Sequence, residues 1–213
     1  MTTIGFLHTS QKHVDTFDAL VAEADQSVTT LHHVASTLLS QVRQAGAAAV
    51  ADEVAADLAD LADQGADVIV VTSPAIAGVA ERVDVGVPVL RVDRPVAHDA
   101  VRAGKRIGVV AAVASALVPT IELLHEEGKA AGVEIEIVPV IVAGAWMAFE
   151  SGEEDEFARD VATATIDLAE RTDIVVLAQA SLMGAARFLP EGLPVLVSPP
   201  KAVAVALDKA RGR

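Results

Sequence analysis

The stretch "ADVIVVTSPAIAGVAE", residues 66–81, decides the fold. Val68-Ile69-Val70-Val71 runs without a polar interruption, the pattern of a strand covered on both faces. Thr72-Ser73-Pro74 then ends it, because serine suits a helix N-cap and proline suits a first helical position. A helix of small residues follows. Nearly the same text recurs at 172–187, "TDIVVLAQASLMGAAR". Asp67 answers to Asp173, Gly78 to Gly184, and Gly86-Val87-Pro88-Val89-Leu90 to Gly192-Leu193-Pro194-Val195-Leu196, each pair 106 residues apart. "IGFL" from Ile4 answers to "IGVV" from Ile107 at an offset of 103. A near-constant offset over separated blocks marks an internal repeat.

Working outward, short apolar runs predict strands at 3–8, 28–33, 68–72, 87–92, 106–111, 134–138, 174–178 and 194–197. Helical periodicity falls between them, at 14–25, 36–64, 118–131 and 154–170. Strict alternation of this kind implies parallel βαβ units. The predicted fold is α/β: two pseudo-symmetric lobes, each a four-stranded, mainly parallel sheet flanked by helices, with a ligand cleft between them. Residues 1–100 form the expected N-terminal lobe and 101–199 the C-terminal lobe. The last helix, 200–213, is expected to pack back on the first lobe.

The 213 residues carry a net charge of −14, with 52% hydrophobic and 22% charged residues and no cysteine. That balance belongs to a folded chain. The acidity argues against nucleic acid, whose phosphates would be repelled. No apolar run approaches the roughly 18 residues that span a bilayer, and no signal peptide opens the chain, so no membrane partner and a cytoplasmic location are expected. Without cysteine, disulfides, thiolate nucleophiles and cysteine-held metals are excluded.

Ligands of open parallel sheets bind beyond the carboxyl ends of the strands. The candidate residues are therefore those in the loops there: His8, Thr9 and Ser10; Thr72, Ser73 and Pro74; Ser115; Trp146; and Gln179, Ala180 and Ser181. His8 has two readings, an acid–base group titrating near neutral pH or a hydrogen-bonded residue that shapes its loop. Trp146 either walls the pocket or packs. Arg94 either clamps a carboxylate or pairs with Asp93. Ser73 is not framed by Gly-x-Ser-x-Gly and has no local base, which removes a hydrolase nucleophile and leaves a cap or ligand hydroxyl. His13, His32, His33 and His98 match no metal-ligand spacing, so no metal is expected. Neither a dinucleotide fingerprint nor a P-loop occurs.

Taken in order, "IGFLHTS", "VIVVTSPAIAG", "VPVLRVDRPVAHDAV", "GKRIGVVAAVASALVPT", "DIVVLAQASLMG" and "LPVLVSPPKAV" resemble the aspartate/glutamate/hydantoin racemase superfamily over essentially the whole chain. The resemblance implies two α/β lobes around one active site, no cofactor, a small carboxylate such as an amino acid as ligand, and a homodimer as one option, since dimers are common in the family. In the family's racemases a cysteine follows the third strand of each lobe, one thiolate removing the α-proton and the opposite thiol returning one. By position Ser73 stands for the first cysteine and Gln179 for the second. Gln has no titratable proton and a lone serine is too weak a base, so the two-thiol mechanism is absent. The resemblance thus implies an isomerase- or racemase-like enzyme working by other groups, with His8 the candidate base and Ser73, Ser115, Gln179 and Ser181 as hydrogen-bond donors. The alternatives are a non-catalytic carboxylate-binding protein on the same fold, or a one-base lyase or decarboxylase.

Overall fold

The computed structural model describes residues 2–212 and contains two four-stranded sheets, parallel throughout. The first unit comprises β1 (Thr3–His8), α1 (His13–Ala24), β2 (Thr29–Val34), α2 (Leu38–Ala45), α3 (Ala51–Asp63), β3 (Val68–Val71), α4 (Pro74–Ala80) and β4 (Val89–Arg91). Its strand order is β2-β1-β3-β4. Next come α5 (Arg94–Ala103), β5 (Arg106–Ala111), α6 (Ala114–Ala131), β6 (Glu136–Ile141), α7 (Ala145–Ser151), α8 (Glu154–Ala169), β7 (Ile174–Leu177), β8 (Val195–Val197) and α9 (Ser198–Ala210). The second sheet repeats the order as β6-β5-β7-β8.

The continuous apolar runs are the central strands. All four residues of β3 and all four of β7 are buried, as expected where helices cover both faces. The edge strands β2 and β6 are only partly covered, and β6 accommodates Pro139 because an edge residue need not donate on its outer side. On one face of the first sheet, Leu7, Ile69 and Val71 meet Leu38, Val54, Leu58, Leu61 and Ile76 of the helices. In the second sheet, Ile107, Val109 and Val176 meet α5 and α6, while Val110, Val175 and Leu177 face α7 and α8.

The repeat has physical causes. Asp67 Oδ2 accepts the Thr3 N–H at 2.8 Å, and Asp173 Oδ2 accepts those of Lys105 and Arg106, also at 2.8 Å. Each aspartate thus ties the start of one central strand to its neighbour. The two backbone N–H groups on Asp173 hold its carboxyl below the usual carboxylate range. Gly5 and Gly108 mark close approaches to the central strands, by the turn before β3 in the first unit and by α8 in the second. A Cβ on Gly5 would come 3.1 Å from Ala66 Cβ, and one on Gly108 would come 2.7 Å from both Cγ and Cδ2 of Leu168. Leu168 is buried and cannot swing aside. Gly108→Val is therefore expected to lower the unfolding free energy by about 1–3 kcal/mol, the range of core overpacking, read as a fall in the urea midpoint at constant m-value.

Four expectations are corrected. The helix expected over 36–64 is broken, because Gly46 turns to φ 83°, ψ 163° and ends α2; a 3-10 turn, Ala47–Val50, follows before α3. Only glycine enters that region without strain. The helix expected from 118 begins at Ala114 and carries Pro119 inside it, in the second turn, where the missing N–H forgoes the bond to the Ser115 carbonyl. The division between units falls after Val92 and not after residue 100: residues 1–92 and 199–213 group together, and 93–198 form the second unit. Val96, Ala97, Ala100 and Val101 of α5 are core residues of the second sheet, and that burial decides its membership. The segment after 180 is a 3-10 stretch, Ala180–Phe188, where the repeat predicts an α-helix like α4.

Candidate functional site

Strand order reverses direction between β1 and β3 in the first unit and between β5 and β7 in the second. Such switch points open a crevice at the carboxyl ends of the strands. In the first unit, Leu7 pairs with Val71, so His8 and Thr72 face each other at the mouth. In the second, Val110 pairs with Leu177, which brings Ala112 opposite Gln179.

Phe6 and His8 alternate along β1 and share the face covered by α1, where Phe17 is buried. His32 of β2 lies opposite Phe6 in register, its ring stacked 5.2 Å from both Phe6 and His8. Hydrogen bonds join this layer end to end. Thr72 Oγ1 lies 2.9 Å from His8 Nδ1, His8 Nε2 lies 2.9 Å from His32 Nδ1, and His32 Nε2 lies 2.9 Å from Asp18 Oδ1. Thr30 donates to the same Asp18 oxygen at 2.6 Å.

His8 is fully buried. Burial, helped by the neighbouring His32 and His13, pushes its pKa down to about 3 against a smaller pull from Asp18. The expectation of a histidine titrating near neutral pH is corrected: a buried imidazole whose two nitrogens are both engaged stays neutral. His13 is also driven down by desolvation, to about 4. Burial raises the pKa of Asp18, but the hydrogen bonds from Thr30 and His32 outweigh it and leave the carboxyl below its ordinary value.

The second switch point has different chemistry. Gln179 is nearly buried, and its Oε1 accepts the Ala112 N–H at 2.7 Å. Its amide nitrogen reaches Ser181 Oγ at 3.5 Å, a long contact. Ser115, in the first turn of α6, has a buried hydroxyl without a hydrogen-bond partner. The side chains shown in contact here are the Gln179 amide and the Ser181 hydroxyl.

The remaining candidates sort by contact. Ser73 occupies the N-cap position of α4 with Pro74 as its first residue, yet its hydroxyl makes no capping bond. Thr9 is buried, and the Ser10 carbonyl accepts the His13 N–H, which starts α1. Ala180 is buried at the start of the 3-10 stretch. Trp146, just after the edge strand β6, packs on Phe149 at 5.0 Å and donates to Glu150 at 2.7 Å, against the cluster that holds Val110, Ala112 and Leu177. Arg94 is engaged by Glu126 at 3.0 Å and Glu127 at 2.6 Å, both on α6. Among the described residues no three His, Asp or Glu side chains are grouped to hold a metal, and no helix is long and apolar enough to cross a membrane.

The family model for Asp/Glu/hydantoin racemases matches residues 6–207. The chain belongs to that family. Solved structures of racemases share its fold across the whole chain. An aspartate racemase from Picrophilus torridus superposes with a TM-score of 0.70 at 11% identity, covering 99% of this chain and 95% of that one. An allantoin racemase from Klebsiella pneumoniae gives 0.63 at 18% identity, with coverages of 98% and 87%. A liganded double mutant of arylmalonate decarboxylase gives 0.62 at 16% identity, with coverages of 100% and 94%. No curated protein matches the chain significantly. Within the Asp/Glu/hydantoin racemase family, then, this member carries a histidine–carboxylate chain at one switch point and the Gln179 amide at the other.

Asp18 was not singled out from the sequence, and His32 was weighed there only as a metal ligand. Their signal was the alternation Thr30-x-His32 in a strand paired with Phe6-x-His8. It carries weight only once the register of β1 and β2 is known.

Proposed function

We propose that this racemase-family chain is an enzyme acting on a small carboxylate, without paired thiols and with a single acid–base centre. The supporting observation is the asymmetry of the two switch points. At β1/β3 the hydroxyl of Thr72 is wired to His8, His32 and Asp18. At β5/β7 the corresponding pair is Ala111 and Ala178, and the next residue, Gln179, is an amide that exchanges no proton. Inversion at an α-carbon needs proton transfer at both faces, whereas decarboxylation or elimination needs it at one. On this reading the Ser73 hydroxyl, next to Thr72 in the same loop, hydrogen-bonds the carboxylate. No cofactor is invoked.

A second reading rests on His8 itself. A fully buried, neutral imidazole is suited to fixing a loop, which favours a carboxylate-binding protein that lacks catalysis.

Proton NMR in deuterated water separates the two. The purified protein is incubated with a panel of amino acids and of mono- and dicarboxylic acids, including malonates. Loss of an α-proton signal or release of carbon dioxide is followed together with saturation transfer to bound ligand. Turnover above a protein-free blank, lowered about 10²–10⁴-fold by His8→Ala, is the expected result. Saturation transfer with no exchange and no product would establish the binding protein instead.

A further inference from the structure

We propose that Asp18, His32, His8 and Thr72 form one proton relay, running from a half-exposed carboxylate on α1 to the hydroxyl at the end of β3, with His32 and Asp18 as positioning residues. Its use on a substrate rests on the enzymatic reading above; the relay itself does not.

The distances allow two self-consistent arrangements of the hydrogens. In the first, the Thr72 hydroxyl donates to His8 Nδ1, His8 Nε2–H donates to His32 Nδ1, and His32 Nε2–H donates to the Asp18 carboxylate. Both histidines are neutral and carry their proton on Nε2. In the second, Thr72 donates to the Leu7 carbonyl, 3.2 Å away, and accepts from His8 Nδ1–H, while His8 Nε2 accepts from His32 Nδ1–H. His32 Nε2 then needs a further proton between itself and Asp18 Oδ1. The two arrangements differ by one proton, held at the outer end.

That difference is the transfer step. In the first arrangement the Thr72 oxygen, buried beside His8, accepts from no donor among the described residues. A proton arriving there from a ligand displaces the hydroxyl's own proton to His8 Nδ1. The Nε2 proton of His8 passes to His32 Nδ1, and that of His32 passes to Asp18 Oδ1. Four bonds to hydrogen break and four form; the electron pair of the broken ligand bond stays on the ligand. Run backwards, the same sequence delivers one proton to a carbanion, the need of a decarboxylation. Asp18, with its side chain 47% exposed, exchanges the proton with water.

The charged and titratable neighbours that act on His8 are His32 from β2 and His13 and Asp18 from α1. His33, the next residue of β2, points the other way and pairs with Asp57 of α3 at 3.1 Å. The relay is therefore insulated from the second histidine–aspartate pair.

The test uses the full chain with 15N-labelled histidine. Long-range proton–nitrogen spectra are expected to show both His8 and His32 protonated on Nε2 at pH 8. On acidification His8 is expected to change to the Nδ1–H form together with the signals of His32, at one shared midpoint. Asp18→Asn keeps an acceptor but removes the carboxylate, and is expected to move that midpoint to lower pH. His32→Phe keeps the ring stack and is expected to abolish the coupled change. An Nδ1–H form of His8 at every pH, or independent changes of the two rings, would overturn the relay. If a substrate has been found, Asp18→Asn is expected to shift the pH–rate profile in step with the spectral midpoint; an unshifted profile would remove the relay from catalysis. If no substrate is turned over, the enzymatic reading fails while the spectra still decide the relay.

Discussion

Phe6→Ala is expected to lower the unfolding free energy by about 3–5 kcal/mol, the range of phenylalanine truncation in a closed core. Phe6 is fully buried in the central strand β1. Its ring centroid lies 5.0 Å from that of Phe17 and 5.2 Å from that of His32, so truncation removes aromatic contacts as well as transfer energy. The neighbours cannot collapse into the space, because His8 and His32 are held by hydrogen bonds at both ends. A cavity remains, and its lining loses dispersion contacts. Urea denaturation followed by far-UV circular dichroism checks this, with the half-exposed Val118→Ala, expected within about 0.5 kcal/mol of the parent, as the control. A loss from Phe6→Ala below about 1.5 kcal/mol would mean that the layer repacks, and the rigidity argued for the chain would fail with it.

Acid destabilisation is expected to begin near pH 6.5 and to include a large contribution from His8. Its pKa is about 3 when folded, against 6.5 in an unfolded chain. The unfolded state therefore takes up a proton first as pH falls. Stability from this group is complete above pH 6.5, declines by about 1.4 kcal/mol per pH unit below it, and reaches its floor near pH 3. Between pH 7 and pH 5 the loss amounts to about 2 kcal/mol from His8. His13, held near 4 by desolvation, acts in the same direction and window. Asp18 has a lowered carboxyl pKa and loses its contribution only below the ordinary carboxylate range, outside that interval. Unfolding free energies at pH 7 and pH 5, for the parent and for His8→Phe, measure the effect. The variant is expected to show a pH difference smaller by about 2 kcal/mol. An unchanged difference would place the acid sensitivity elsewhere.

The repeat was legible because its causes are local. Gly5 and Gly108 must be small where the turn before β3 and helix α8 approach, and Asp67 and Asp173 must accept strand-start N–H groups. Each requirement writes one residue type at a fixed offset. The break at Gly46 was not legible, since the Ala-rich text on either side of it favours helix and a lone glycine is tolerated within one. The start of α6 was hidden by Pro119, which reads as a helix boundary but lies inside one. Ser73 and Gln179 were found from the strand ends, and the structure adds what their positions alone do not show: the glutamine's oxygen holds a backbone N–H of the neighbouring strand end.

By itself the sequence determined two parallel α/β units, the strand-end loops, and the absence of thiol chemistry. These follow from periodicity, an internal offset and composition, all of which are properties of the chain read in order. Only the tertiary structure decided the state and partners of His8. Desolvation and hydrogen bonding depend on what lies within a few ångströms, and the groups that surround this imidazole come from residues 18, 32 and 72, on a helix and two other strands. Register brings them together; sequence distance conceals it.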